Sequence, residues 1–154
     1  MQKIVYTLIL VFFMYSANAQ LQLGDVLPTI KLENAQNETI SISSLKGKMI
    51  LVDFWASWCG PCRIANRKLV KLHATSNDKI EIIGISLDKD PAKWMKAIEK
   101  DKIKYTQLID PKVFDAETAQ LFGVADLPST YLFNAEGILI AINPSEEQLT
   151  TLIN

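Results

Sequence analysis

The 154-residue chain is poor in the residues that build metal and anion sites: it has two cysteines, one histidine and two arginines. A tetrahedral zinc centre takes four Cys or His ligands. The close cysteine pair is half of one, and His73, toward the end of the helix pattern that starts at the cysteines, reads as a surface residue. No metal and no other cofactor is therefore expected. Basic runs are also missing, and the formal net charge is −1, so nothing matches a nucleic-acid backbone. There is no repeat, low-complexity tract or linker, which leaves room for one domain with one sizeable core.

A long apolar run is missing too. Ile4 to Tyr15 spans about 12 residues, short of the roughly 20 that cross a bilayer. With Lys3 before it and Ala17-Asn18-Ala19 after it, the run reads as a cleaved signal peptide over 1–19, leaving a domain over 20–154. No cysteine marks a lipid anchor at that junction. The expectation is an exported, periplasmic protein with no stable membrane insertion after cleavage; the alternative is anchoring by an uncleaved N-terminal segment.

The cysteines that are present stand together in Trp58-Cys59-Gly60-Pro61-Cys62, directly after the apolar run Met49 to Trp55. In an oxidising compartment a cysteine pair is by default a staple. Closing so short a loop, however, removes only about 2 kcal/mol of unfolded-state entropy, against about 3 for fifteen residues. The pair reads as a reagent rather than a brace.

Continuous apolar runs at Met49–Trp55, Ile80–Leu87, Tyr131–Phe133 and Ile138–Ile142 fit strands buried on both faces. Leu23–Leu32 and Thr39–Ile42 suggest an N-terminal hairpin, and Phe133–Ile138 a second one. Between the strands, Cys62, Ala65, Leu69 and Leu72 recur at helical spacing. Asp90-Pro91 starts a helix bearing Trp94, Met95 and Ile98. Asp115 reads as the cap of a helix that Gly123 ends, and Ser145 with Gln148 as a capping box for one bearing Leu149, Leu152 and Ile153. Strands alternating with helices imply an α/β fold with a mixed sheet.

Val52-Asp53-Phe54-Trp55-Ala56-Ser57-Trp58-Cys59-Gly60-Pro61-Cys62 closely resembles the active-site segment of thioredoxins, and Phe122 to Phe133 resembles their segment around the cis-proline. Leu23 to Pro28, Leu45 to Lys48, and a helix and strand inserted between Asp88 and Asp110 are more similar to exported TlpA/ResA-type thiol-disulfide oxidoreductases. The resemblance covers nearly all of 21–154. It implies a thioredoxin-like fold with an N-terminal hairpin extension and a central helix-strand insertion. Three positions depart from the pattern: Ala65 and Arg67 stand where an acid and a proline are common, and Ile82-Ile83-Gly84-Ile85 carries no lysine.

Cys59 is expected at the start of the helix, where free N–H groups and the helix dipole favour a thiolate. It is read as the nucleophile and Cys62, one turn on, as the resolving thiol. Asp53 is a charge inside an apolar strand, costly unless used or paired. The resemblance implies an acid that takes the Cys62 proton; the alternative is a hydrogen-bonded structural aspartate. It further implies a cis Pro128 facing the disulfide, Leu127 offering backbone groups to an extended substrate, and Gly60-Pro61 tuning a reducing site. Trp58, beside the thiolate, reads as part of an exposed apolar contact surface, with core packing the alternative. The implied partners are protein disulfides, apocytochromes c among them, and a membrane thiol electron donor.

Two other functions compete with a disulfide reductase. A peroxiredoxin-like peroxidase needs Thr or Ser three residues before its cysteine and a remote arginine, whereas this chain has Ala56 and two arginines on one helix. The other is a redox-inert module for binding or metal delivery.

Overall fold

The structure, a computed structural model, describes residues 20–45, 47–76 and 78–153, and the leader read at 1–19 lies outside them. In chain order the elements are β1 (Lys31–Asn34), β2 (Thr39–Ser41), a 3-10 turn (Ile42–Leu45), β3 (Met49–Trp55), α1 (Gly60–Thr75), β4 (Ile80–Ser86), α2 (Pro91–Asp101), β5 (Thr106–Ile109), a 3-10 turn (Val113–Asp115), α3 (Glu117–Phe122), β6 (Ser129–Phe133), β7 (Leu139–Ile142) and α4 (Glu146–Ile153). The strands form one seven-stranded mixed sheet in the order β2-β1-β5-β4-β3-β6-β7. The thioredoxin-like mixed sheet flanked by helices is as the sequence implies, down to the inserted α2 and β5. Among the described residues, no helix is long and apolar enough to cross a membrane.

β3 occupies an inner position, parallel to β4 and antiparallel to β6. Successive strand residues point to opposite faces, so its apolar run divides in two. Ile50, Val52 and Phe54 enter one core with Phe122 of α3, Tyr131 and Phe133. Phe122 packs at 5.0 Å from Phe54 and 4.9 Å from Tyr131, in the tilted and edge-on arrangements that aromatic quadrupoles favour. Leu51 and Trp55 enter a second core with Leu69 of α1, Trp94 and Ala97 of α2, and Ile153 of α4. Asp53 lies between Leu51 and Trp55 on that second face. The sheet therefore delivers one carboxyl into a layer that is mostly apolar.

The N-terminal hairpin is β1 with β2, joined to the sheet through β5. It begins later than the pattern suggests. Gly24 has φ +94 and Pro28 lacks an N–H, so Leu23–Ile30 does not form a strand of the hairpin. It makes a single bridge, Val26 to Ile138, beside β7, and Leu21, Leu27 and Ile30 are buried in the α3-side core. The leading segment thus crosses beneath the sheet from one edge to the other.

Local signals set most helix starts. The Asp90 carboxylate accepts from Ala92 N and Lys93 N, with Pro91 in the first turn of α2. Ser145 Oγ accepts from Gln148 N while Gln148 Oε1 accepts from Ser145 N, a reciprocal capping box for α4. Asp115 does not cap α3: it ends a 3-10 turn, and Ala116 holds the cap position without a side-chain bond. The carboxylate that serves this region is Asp110, which accepts from Thr118 Oγ1 at 2.5 Å. Met95 and Leu152 are exposed rather than on the apolar sides of their helices. Replacing Asp90 by Ala removes two bonds to otherwise free N–H groups and is expected to cost about 1 kcal/mol in urea unfolding; an unchanged midpoint would show that Pro91 alone fixes the helix start.

Candidate functional site: a disulfide at a helix N-terminus above a buried acid

After Trp55 the chain leaves the sheet, and Ala56–Cys59 turns it into α1. Ser57 N and Ser57 Oγ donate to the Asp88 carboxylate at 2.7 and 2.6 Å, and Ser86 Oγ donates to it at 2.7 Å. From the other side, Arg63 Nη1 donates to Ser57 O at 3.2 Å. The same guanidinium is forked onto Asp101 of α2, through Nε and through Nη2 at 2.8 Å, and Asn66 Nδ2 donates to Asp101 at 3.1 Å. Burial alone would raise the Asp101 pKa, but the bonds from Arg63 and Asn66 and the charges of Arg63 and Arg67 outweigh it and hold the carboxyl below its ordinary value. The turn before the cysteines is held by a carboxylate just past the end of β4 and by a part-buried ion pair between α1 and α2. No local pattern announces these anchors, because Arg63 and Asp101 are 38 residues apart. The one available hint was Asp88, a polar residue just past an apolar strand.

Cys59 and Cys62 are joined as a disulfide. Cys59 is the N-cap of α1, and its Sγ accepts from Cys62 N at 3.2 Å. That bond and the positive end of the helix favour a thiolate at Cys59 over one elsewhere on the helix. Cys59 is 7% exposed and Cys62 0%. The outer sulfur is therefore the one a partner reaches first.

Around the pair, Gly60 and Pro61 are exposed and Trp58 is 60% exposed, a large apolar side chain with no core to fill. Leu127 and Pro128 are half-buried, and the peptide bond between them is cis. Trp55, by contrast, is wholly buried, with Nε1 donating to Gln107 Oε1 at 2.9 Å. His73 is exposed in the last turn of α1.

Asp53 is 1% exposed, and neither carboxylate oxygen has a hydrogen-bond partner among the described residues. The hydrogen-bonded structural aspartate, one of the two readings of the sequence, is not what is found. Burial pushes its pKa from 3.8 to about 8. The carboxyl borders a cleft of about 610 Å³ between α1, β6 and α4, lined also by Ala65, Leu69, Pro128 and Thr130, with Lys68, Lys71 and Glu146 at its rim. Ala65 is one turn beyond Cys62, so the departure noted at that position removes a second acid from the neighbourhood of the first.

Comparison with known proteins places this arrangement. The profile of the AhpC/TSA family matches residues 23–142. A thiol-disulfide oxidoreductase from Bacteroides fragilis has 32% identity and a TM-score of 0.78, over 84% of this chain and 97% of that one. The thioredoxin domain of a thiol-disulfide oxidoreductase from Bacteroides vulgatus has 28% identity and a TM-score of 0.78, over 88% and 100%. Thiol-disulfide oxidoreductase ResA from Oceanobacillus iheyensis is 27% identical over 75% of this chain and 62% of its own length. The chain belongs to the AhpC/TSA family, and its relatives and structural neighbours make it a thioredoxin-like thiol-disulfide oxidoreductase.

The unpartnered acid has a measurable signature. Below pH 3.8 the Asp53 carboxyl is protonated in folded and unfolded chains alike. Between 3.8 and about 8 the folded protein keeps a proton that the unfolded chain has released, so stability falls as pH rises through that window. Asp53→Asn is expected to gain on the parent, in the oxidised state, by about 1.4 kcal/mol per pH unit between about pH 5 and 7, levelling off above pH 8. Urea unfolding across pH checks this; a difference that does not change with pH would mean that the carboxyl is solvated or paired in solution.

Proposed function

We propose that the protein reduces disulfides in exported proteins, with Cys59 as nucleophile. The observation that carries this reading is the position of Cys59 at the helix N-cap, its sulfur bonded to a backbone N–H and its partner cysteine sealed behind it. In the reduced protein the Cys59 thiolate attacks one sulfur of a substrate disulfide, and the other sulfur leaves as a thiol. Cys62 then gives its proton to the ionised form of Asp53, the minor form below pH 8, and attacks Cys59; the mixed disulfide breaks, and the second substrate sulfur leaves as a thiolate that takes up a proton. Two electrons pass from the dithiol to the substrate, and the Cys59–Cys62 disulfide remains.

Trp58, Gly60 and Pro61 flank Cys59 in sequence and, with Leu127 and the cis Pro128, form the surface on which an extended substrate segment lies, Leu127 supplying backbone groups. A thiol donor at the membrane reloads the disulfide, in keeping with export directed by residues 1–19. Apocytochromes c, whose cysteines must be thiols before haem is attached, fit this chemistry. The peroxidase reading loses support, since Arg63 is committed to Asp101 and Ser57 rather than open to a peroxide.

Cys62→Ala leaves the first step intact and removes the second. Expressed in cells, it is expected to accumulate covalent adducts through Cys59 with exported proteins, and Cys59→Ala to accumulate none. Adducts absent from both variants would sink the reductase. With purified protein, Asp53→Asn is expected to slow the release of a preformed mixed disulfide about 10²-fold at pH 7; release at the parental rate would remove Asp53 from the chemistry.

A further inference from the structure

Asp53, Gly84 and Gln107 form a row across three parallel strands: Asp53 pairs with Gly84, and Gly84 with Gln107. Residues in register present their side chains to the same face, with neighbouring Cβ positions about 5 Å apart. Gly84 leaves its slot in that row empty of side chain, and Gln107 fills it. A Cβ on Gly84 would lie 2.3 Å from Gln107 Nε2, 2.6 Å from Oε1 and 2.7 Å from Cδ. The glycine is there for space, not for backbone freedom, since its φ is not in the left-handed region. The Gln107 amide therefore lies over β4, one strand spacing from the Asp53 side chain.

The amide's orientation is fixed as well. An indole N–H only donates, so the end that meets Trp55 Nε1 at 2.9 Å is the oxygen. Nε2 is then the end with hydrogens to give. It is buried with no partner among the described residues, and so are both Asp53 oxygens. Two unmatched acceptors and an unmatched donor share one face of one row, with no side chain between them.

We propose that Gln107 is a positioning residue for Asp53, its Nε2–H donating to the carboxylate as Asp53 gives up its proton, with Trp55 holding the amide and Gly84 leaving it room. This deepens the reading of Asp53 as the proton acceptor for Cys62 and rests on it. A donor aimed at the carboxylate favours the charged form and opposes the effect of burial. The other titratable groups facing Asp53 are Lys68 and Lys71 from α1 and Glu146 from α4 across the cleft, and Tyr105 just before β5. All four are unchanged in the variants below.

Two measurements on the oxidised protein test the contact. In the parent, the Gln107 side-chain amide resonances are expected to move with pH at the midpoint of the Asp53 carboxyl, and to lose that movement in Asp53→Asn. In Gln107→Met, which keeps the length and lacks the donor, the Asp53 midpoint is expected to rise by about one pH unit. Amide resonances that ignore the Asp53 titration would overturn the proposal even if Gln107→Met does not fold, and so would an unshifted midpoint in a folded Gln107→Met. The exchange chemistry is read separately: parental mixed-disulfide release in Asp53→Asn would refute the acid role while leaving the amide–carboxyl contact to stand or fall on the resonances.

Discussion

Burial of β3 on both faces is the constraint on which the rest of this structure depends. Because its alternate residues serve two cores, the strand cannot slip by one position without moving Ile50, Val52 and Phe54 into the layer of α1 and Asp53 into the aromatic cluster around Phe122. The register fixes where the chain leaves the sheet, and so where α1 begins. The cysteines inherit their position from that point. Asp53 inherits its desolvation from the same arrangement, since its face of the strand is covered by α1.

A turn that presents a reactive sulfur must not fray, and this one is tied on both sides. Asp88 holds Ser57 through the backbone and the hydroxyl at once, while Arg63 reaches back from α1 to the same residue. Asp101 makes the second tie possible. A lone guanidinium half-sunk in the protein would be costly, and a forked carboxylate from α2 compensates it. The inserted α2 therefore does more than cover the sheet: through Asp101 it stiffens the turn before Cys59. An insertion far from the disulfide in sequence is mechanically close to it.

The sheet and the sulfur chemistry were legible in the sequence because their signals are local. Continuous apolar runs mark the inner strands, Asp90-Pro91 and the Ser145/Gln148 pair mark helix starts, and two cysteines at helical spacing behind a strand mark the pair. Where the reading fell short, a distant residue decided the outcome. Asp115 looks like a cap until Asp110 takes the Thr118 hydroxyl. The Leu23–Leu32 segment alternates loosely enough to suggest a strand, but its turn at Gly24 and its bridge to Ile138 place most of it across the sheet instead. Arg63 meets Asp101, and Gln107 comes into one row with Asp53, only through tertiary folding. No spacing rule links residues 38 or more positions apart.

The absence of an acid at position 65 and of any side chain at position 84 gives the site an unusual economy of charge. With no cation bonded to it among the described residues, Asp53 has its proton affinity set by desolvation, and that brings it to about 8. An ordinary thiol has a pKa of about 8.5. In the proposed chemistry, passing a proton from a thiol to this carboxyl therefore costs less than about 1 kcal/mol, where a solvated aspartate at 3.9 would ask for about 6. A near-even proton transfer runs in both directions, which an enzyme that must be reloaded after each turnover requires. A strong ion pair at Asp53 would pull its pKa back toward the solvated range and make it a poor acceptor. A single neutral amide such as that of Gln107 trims the affinity without abolishing it, and on this argument a glutamine suits the third place in the row better than a lysine.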